Sequence, residues 1–89
     1  MYLGIYEFTG DPDALIPAYQ RLMASMPPGN TTWHLCARRP EGLVIYDTCP
    51  SEEVFQGFST SPGFLGAITA AGLPRPAVTG LPVVSARSS

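Results

Sequence analysis

The 89-residue chain is long enough for one domain with a thin core. It is 45% hydrophobic and 13% charged, against about 25% charged in an average domain, so we expect some apolar surface to be buried against another chain or around a ligand. The net charge is −2 and all 5 basic residues are arginine, which predicts no nucleic-acid partner and no binding to anionic membranes. The absence of lysine excludes Schiff-base chemistry and a lysine-bearing phosphate loop.

The cellular location is predicted from what the sequence lacks. The first residues show neither the basic region nor the cleavage site of a secretory signal, and the longest weakly polar run, 63–73, is well short of the roughly 20 residues that span a bilayer. We therefore expect a soluble cytoplasmic protein in which Cys36 and Cys49 are reduced thiols. Two thiols and 1 histidine also lack the spacing of a zinc site, so the sequence predicts neither a metal nor a cofactor.

The first third of the chain predicts a strand followed by a helix. Residues 2–8 alternate as a strand does, and Asp11 or Asp13 is suited to cap the helix that follows. Because a proline inside a helix removes a hydrogen bond, Pro17 predicts that the regular helix begins later than this cap suggests. The helix should run to residue 26, with an apolar stripe formed by Leu15, Tyr19, Leu22 and Met26.

The middle of the chain predicts a β-hairpin. Residues 31–38 and 43–48 are rich in strand-forming residues, and 39–42 reads as the loop between them. A two-residue loop at Pro40-Glu41 sets His34 directly opposite Asp47, with Cβ atoms roughly 4.5–5.5 Å apart. A slip of one residue would put Asp47 on the other face of the sheet.

The last part predicts a helix in two pieces and a final strand. Ser51 is suited to cap the first piece, while Ser61 and Pro62 can begin a second piece that stops at Gly72. Residues 76–84 should form a strand at the sheet edge, because Pro82 cannot donate a ladder hydrogen bond. We expect one domain over 1–85 and a flexible tail over 86–89.

The resulting order, β-α-β-β-α-β, is that of an α+β ferredoxin-like fold: a four-stranded antiparallel sheet with helices on one face. The chain resembles the dimeric α+β-barrel proteins of the antibiotic-biosynthesis-monooxygenase-like superfamily, and most closely a group of short actinobacterial members. The residues that carry the likeness are His34-Leu35-Cys36, Glu41-Gly42, Tyr46-Asp47, Ser51-Glu52-Glu53 with Phe58, Ala71-Gly72-Leu73-Pro74 and Leu81-Pro82-Val83.

The resemblance implies a homodimeric barrel, with the two sheets face to face and a pocket between each sheet and its own helices. Members of the superfamily include cofactor-free oxygenases of aromatic polyketides, haem-degrading enzymes, isomerases, and decarboxylating or cyclising proteins. This chain departs from the group at Cys49, where tryptophan is usual, and at Val84, where histidine is frequent. Trp33 and His34 are adjacent in a strand and so point to opposite faces, which argues against haem degradation.

The candidate catalytic residues are His34, Asp47 and Tyr6. A carboxylate opposite the only histidine would orient the imidazole as a general base, which cofactor-free oxygenation and cyclisation both need. Tyr6, in the middle of the first strand, is the candidate proton donor. The alternatives are a structural cross-strand hydrogen bond for the pair and simple packing for the tyrosine.

The candidate ligand pocket is formed by Cys36, Cys49, Phe55 and Phe58. Buried packing is the ordinary alternative for each of these residues. The break over 59–63 could act as a lid for this pocket, and the opposite sheet face, with Trp33, is expected to be core or dimer interface. Three hypotheses follow: a cofactor-independent enzyme acting on an aromatic or polyketide-like metabolite, a binding or accessory protein without turnover, and a purely structural dimer.

Overall fold

The computed structural model describes residues 1–26 and 33–87, which form four strands and three helices. The strands make one antiparallel sheet in the spatial order second, third, first, fourth. The predicted α+β ferredoxin-like fold is therefore confirmed. The elements in chain order are β1 (Tyr2–Thr9), α1 (Pro12–Ser25), β2 (His34–Arg39), β3 (Gly42–Cys49), α2 (Glu52–Ser59), α3 (Pro62–Ala71) and β4 (Ala77–Pro82).

Helix α1 begins where its cap predicts, and the expectation of a later start is wrong. The Asp11 side chain accepts a hydrogen bond from the backbone N–H of Asp13, and Pro12 is the first helical residue. Pro17 lies inside the helix and is exposed, so its ring meets solvent. The helix loses one backbone hydrogen bond there, but it continues because its inner face is buried along its length. The buried residues of that face are Leu15, Ala18 and Leu22.

The predicted break in the second helical segment is confirmed. Ser51 Oγ accepts from the N–H of Val54 at the start of α2, and Ser61 Oγ accepts from the N–H of Phe64 at the start of α3. Helix α3 ends at Gly72, whose φ of 90° is the left-handed conformation that glycine adopts at low cost. Each piece therefore has its own cap, and the residues between the two caps separate the helices.

Strand boundaries differ from the prediction by a few residues. Strand β2 begins at His34, and residues 31–32 of the predicted strand lie outside the described residues. Strand β4 is shorter than predicted and pairs only with β1, which confirms that it is an edge strand. Of the predicted tail, Ala86 and Arg87 have no regular structure, and 88–89 lie outside the described residues.

The core lies between the helices and one face of the sheet. Alternate residues of β1 and β3 on that face are buried, and they pack against the inner residues of all three helices: Tyr6, Phe8, Leu43 and Ile45 from the sheet, with Leu22, Phe55, Phe64 and Ile68 from the helices. The opposite face carries several large apolar side chains that are exposed in this chain: Trp33, Leu35, Tyr46 and Leu81. None of the helices in the described ranges combines the length and the apolar character that a bilayer crossing needs.

Candidate functional site

One row of paired residues crosses all four strands on the helix-facing side of the sheet. His34 of β2 is opposite Asp47 of β3, Asp47 is opposite Gly4 of β1, and Gly4 is opposite Gly80 of β4. We call these four residues the site row. His34 and Asp47 have ionisable side chains and form the polar half of the row. Gly4 and Gly80 have no side chain and form the glycine half.

In the polar half, His34 and Asp47 are hydrogen-bonded through Nδ1 and Oδ1, as the hairpin register predicted. A carboxylate at Nδ1 favours the tautomer with its proton on that nitrogen, and this leaves Nε2 as an acceptor. The side chains are 31% and 23% exposed, so the pair lies at the boundary between the core and solvent. The geometry is that of an oriented base; the catalytic role remains a prediction.

Helix α1 adds a third member that the sequence analysis did not single out. The hydroxyl of Tyr19 lies 2.6 Å from His34 Nε2, and the two rings are nearly parallel, with centroids 6.0 Å apart. Because Nε2 accepts, the phenol donates, and the hydrogen bonds run from Tyr19 through His34 to Asp47. The sequence showed Tyr19 only as part of an apolar stripe, although its hydroxyl is the one polar group in that stripe.

The surroundings of the polar half keep its protons in place. Burial is the main cause that raises the pKa of Tyr19, and Cys36 and Asp47 add to it, so the phenol stays a protonated donor. Burial also raises the pKa of Cys36, which therefore stays a neutral thiol beside the row. Cys36 is opposite Ile45, which is as predicted from the register.

Tyr6 lies in the core, two residues along β1 from Gly4 and on the same face of the sheet. It is 3% exposed, and its ring packs against Phe55 and Phe64, with centroid distances of 6.4 and 5.4 Å. Its hydroxyl is 3.0 Å from the point that a Cβ on Gly4 would occupy, so the hydroxyl lies above Gly4, the residue that pairs with Asp47. Burial first, then Asp47 and Cys49, raise the pKa of Tyr6 well above its ordinary value. Tyr6 is thus a neutral phenol adjacent to the His34–Asp47 pair.

In the glycine half, aromatic rings lie directly on the strand backbone. A Cβ on Gly80 would come within 2.6 Å of both Phe55 Cε2 and Tyr2 Cε2, and a Cβ on Gly4 within 2.9 Å of Phe55 Cε1. The ring of Phe55 therefore spans both glycines. The hydroxyl of Tyr6 also lies close to the Cβ position of Gly4. The ring of Phe55 therefore lies between Tyr6 and β4, the edge strand of the sheet.

A groove opens on the outer side of that ring. Its volume is about 560 Å³, within the range of small-molecule sites. Its walls come from β1, α2, the start of α3 and the segment that leads into β4: Tyr2, Phe55, Gln56, Ser59, Thr60, Leu65, Arg75, Pro76, Val78 and Gly80.

The structure brings only part of the predicted pocket to this groove. Phe55 lines it, whereas Cys36, Cys49 and Phe58 do not. The thiol of Cys49 donates to the backbone oxygen of Ser51 at 3.4 Å, and the ring of Phe58 is 37% exposed. The break between α2 and α3 does reach the groove through Ser59 and Thr60, as the lid hypothesis requires. Arg75 is the charged groove residue that the sequence analysis did not assign to a pocket, and its position between Pro74 and Pro76 is the signal that could have marked it.

Fold and site together define a ferredoxin-like α+β protein with a polar cluster between sheet and helices. No family model matches the chain, and no curated protein matches it. Among solved structures, it is similar to an antibiotic-biosynthesis monooxygenase candidate from Deinococcus radiodurans, with a TM-score of 0.68 and 14% identity over 100% of this chain and 98% of the other.

Two further solved structures extend the comparison. Rv0793 from Mycobacterium tuberculosis has a TM-score of 0.64 and 21% identity, covering 98% of each chain. SnoaB, a cofactor-independent oxygenase from Streptomyces nogalater, has a TM-score of 0.59 and 20% identity, covering 99% of this chain and 92% of its own. The chain therefore has the fold of the antibiotic-biosynthesis-monooxygenase-like proteins, which confirms the resemblance at the level of the fold.

Proposed function

We propose that this protein binds an aromatic or polyketide-like metabolite and acts on it without a cofactor, as an oxygenase, cyclase or isomerase. The observation that carries the proposal is the run of hydrogen bonds from Tyr19 through His34 to Asp47, beside the buried phenol of Tyr6. Its support from the comparisons is the shared fold with a cofactor-independent oxygenase. Because one fold can host many activities, the proposal rests on these residues, and the shared fold is only consistent with it.

His34 is the proposed base and Asp47 its orienting partner. An acidic O–H or C–H group of the substrate would take the place of the Tyr19 hydroxyl at Nε2 and give up its proton there, while Asp47 stabilises the imidazolium. Tyr6, kept protonated by burial, would donate a hydrogen bond to the enolate or phenolate that forms. In an oxygenation, dioxygen would oxidise this anion, with one oxygen atom retained in the product and the other released as water.

The proposal includes a homodimer in the cytoplasm, assembled through the open face of the sheet. Four large apolar side chains are exposed there, and a 9.5 kDa chain has few other ways to bury them: Trp33, Leu35, Tyr46 and Leu81. Native mass spectrometry of protein from its own source would measure the assembly and any retained ligand together. A monomer would contradict the dimer, and a dimer with a bound organic molecule would give the substrate class.

A binding or structural protein without turnover is the second candidate, and one observation favours it. Tyr19 already satisfies Nε2 of His34, so the three side chains form a complete network without a substrate. In this case the network would only hold α1 against the edge of the sheet, and the same three residues would then matter for stability alone.

The two candidates are separated by measuring turnover and stability on the same variants. Oxygen uptake with an anthrone, whose enolised form reacts with dioxygen, would be compared for the wild type, His34→Ala and Asp47→Asn, with Gln20→Ala at an exposed position of α1 as the control. If the protein is an enzyme, uptake should fall at least about a hundredfold in His34→Ala and Asp47→Asn and stay unchanged in the control. Equal rates in all four proteins, with urea stability reduced only in His34→Ala and Asp47→Asn, would support the structural candidate.

A further inference from the structure

The groove beside β4 has the composition of a site for an amphipathic ligand. One wall is aromatic, from Tyr2 and Phe55, whose ring centroids are 5.3 Å apart with planes tilted by 45°. Leu65 and Val78 add to this apolar surface, and polar side chains also line the groove. Flat aromatic surfaces of this kind favour a ligand that is itself an aromatic ring system.

The aromatic wall can pack directly on the strands because the residues beneath it are glycines. Gly80 lines the groove, and any larger residue there would displace both rings, because even a Cβ would come within 2.6 Å of each. Phe55 is 5% exposed and fixed between the two glycines of the site row. The wall is therefore built before a ligand arrives, which lowers the entropic cost of binding.

Among the described residues that line the groove, Arg75 alone carries a formal charge. Three of the other four arginines are engaged: Arg38 with Asp13 at 2.9 Å, Arg39 with Glu7 at 3.5 Å, and Arg21 with the backbone oxygen of Ala71 at 3.1 Å. Within 1–26 and 33–87, the guanidinium of Arg75 has neither an ion pair nor a hydrogen bond. The flanking residues, Pro74 and Pro76, restrict the backbone that carries it.

The charge around the groove is asymmetric. At one end, the hydroxyl of Tyr2 donates to the Glu52 carboxylate at 2.9 Å, so negative charge is already present there. Arg75 is free to attract an anion, and the planar guanidinium binds a carboxylate through two parallel hydrogen bonds. A ligand with one carboxylate would thus direct it to Arg75 and lay its rings on Phe55.

We propose that this groove is a binding site for an aromatic carboxylic acid, with Arg75 as the carboxylate anchor and the rings of Tyr2 and Phe55 as the wall on which the ligand packs. The site does not depend on whether His34 acts as a base. A ligand bound there would be separated from the phenol of Tyr6 only by the ring of Phe55.

Calorimetric titration with 2-naphthoate and with the neutral 2-naphthamide tests the proposal. The acid should bind about tenfold or more tightly than the amide, because the amide is neutral and offers one acceptor oxygen where the carboxylate offers two. Arg75→Gln should remove this preference, because the affinity for the acid should fall by more than the affinity for the amide. Arg75 is exposed, so this variant should fold as the wild type does, and an unchanged circular-dichroism melting curve would verify it.

The matched control is Arg87→Gln, which removes the same charge from the exposed segment after β4 and should leave the preference intact. Amide chemical shifts locate the ligand: naphthoate should move the signals of Thr60 and Gly80, which line the groove. Equal affinity for acid and amide, an equal loss in both arginine variants, shifts confined to other residues, or no binding of naphthoate at all would each overturn the proposal.

Discussion

The two halves of the site row lie on the same face of the same sheet, but hydrogen-bonded polar side chains cover one half and aromatic rings cover the other. Over His34 and Asp47, a polar side chain arrives from α1 and completes a line of hydrogen bonds. Over Gly4 and Gly80, two aromatic rings rest on bare backbone and make no hydrogen bond to it. The polar half is therefore specified by donors and acceptors, and the glycine half by shape.

This difference explains why the groove opens on the glycine side. The rings that pack on the glycines present apolar carbon atoms to the groove. An empty space beside these atoms leaves no polar atom without a hydrogen-bond partner. On the polar side, an empty space would expose the acceptor nitrogen of His34, and the Tyr19 phenol fills that place. The same row thus offers a site for chemistry and a site for binding, with Phe55 between them.

The largest expected effect comes from adding one methyl group to the glycine half. Gly80→Ala should destabilise the protein by about 1–3 kcal/mol, because its Cβ would lie 2.6 Å from two rings. Urea unfolding measures the change. The control is Gly66→Ala in α3, where nothing lies within 4 Å of the new Cβ and a gain of about 0.4–1 kcal/mol is expected.

A double variant tests whether shape is the cause. If the ring of Phe55 is what the new methyl group strikes, Phe55→Leu should relieve part of the cost of Gly80→Ala, and the two changes should couple in a double-mutant cycle. Strict additivity of the two losses, or an equal response of Gly66→Ala and Gly80→Ala, would mean that the glycine half is not defined by the rings.

Alkaline stability should depend on Tyr6, which lies at the junction of the two halves. Its folded-state pKa is raised above the unfolded value of about 10, so the unfolded chain releases this proton first as the pH rises. Stability from this group is present below pH 10 and falls above it, by about 1.4 kcal/mol per pH unit. Tyr6→Phe should lower the slope of unfolding free energy against pH by about 1.4 kcal/mol per pH unit, which corresponds to one proton. Urea unfolding at several alkaline pH values measures this slope, and an unchanged slope would contradict the burial of the phenol.

Much of the polar half was predictable because it is set by local rules. A two-residue loop at Pro40-Glu41 fixes the register of β2 and β3, and the register fixes the pairing of His34 with Asp47. The helix caps were predictable for the same reason. Tyr19 was not, since its contact depends on how α1 crosses the sheet, and no pattern in the sequence encodes that angle.

The glycine half was not predicted, because it depends on pairing between distant strands. Gly4 and Gly80 are opposite each other only because β1 and β4 meet in this register. A predicted pocket was therefore assigned to the residues that look apolar along the chain, and of these only Phe55 lines the groove. A glycine inside each of two strands was the available signal, since such positions mark a close approach of another group.

The removal of one hydroxyl should affect the polar half clearly. Tyr19→Phe keeps the stacked ring but leaves His34 Nε2 without its donor, and we expect a loss of about 0.5–1.5 kcal/mol, toward the lower end because the site is partly exposed. Gln20→Ala, at an exposed position of the same helix, is the control, with no loss expected. Tyr19→Phe and Asp47→Asn should be non-additive; independent losses would show that the three side chains do not act as one network.

The same removal in the glycine half should have the smallest effect. Tyr2→Phe deletes a hydrogen bond to the Glu52 carboxylate at the surface but keeps the ring on Gly80, so the urea midpoint should not change measurably. In the wild-type chain, the hydroxyl of Tyr2 can be followed as the component of the ultraviolet titration that Tyr2→Phe removes. The hydrogen bond to Glu52 is the main cause that raises the pKa of Tyr2, and Glu52→Gln should therefore lower that pKa toward its ordinary value. A midpoint that falls as far as it does in Tyr19→Phe would mean that hydrogen bonds, and not shape alone, also hold the glycine half together.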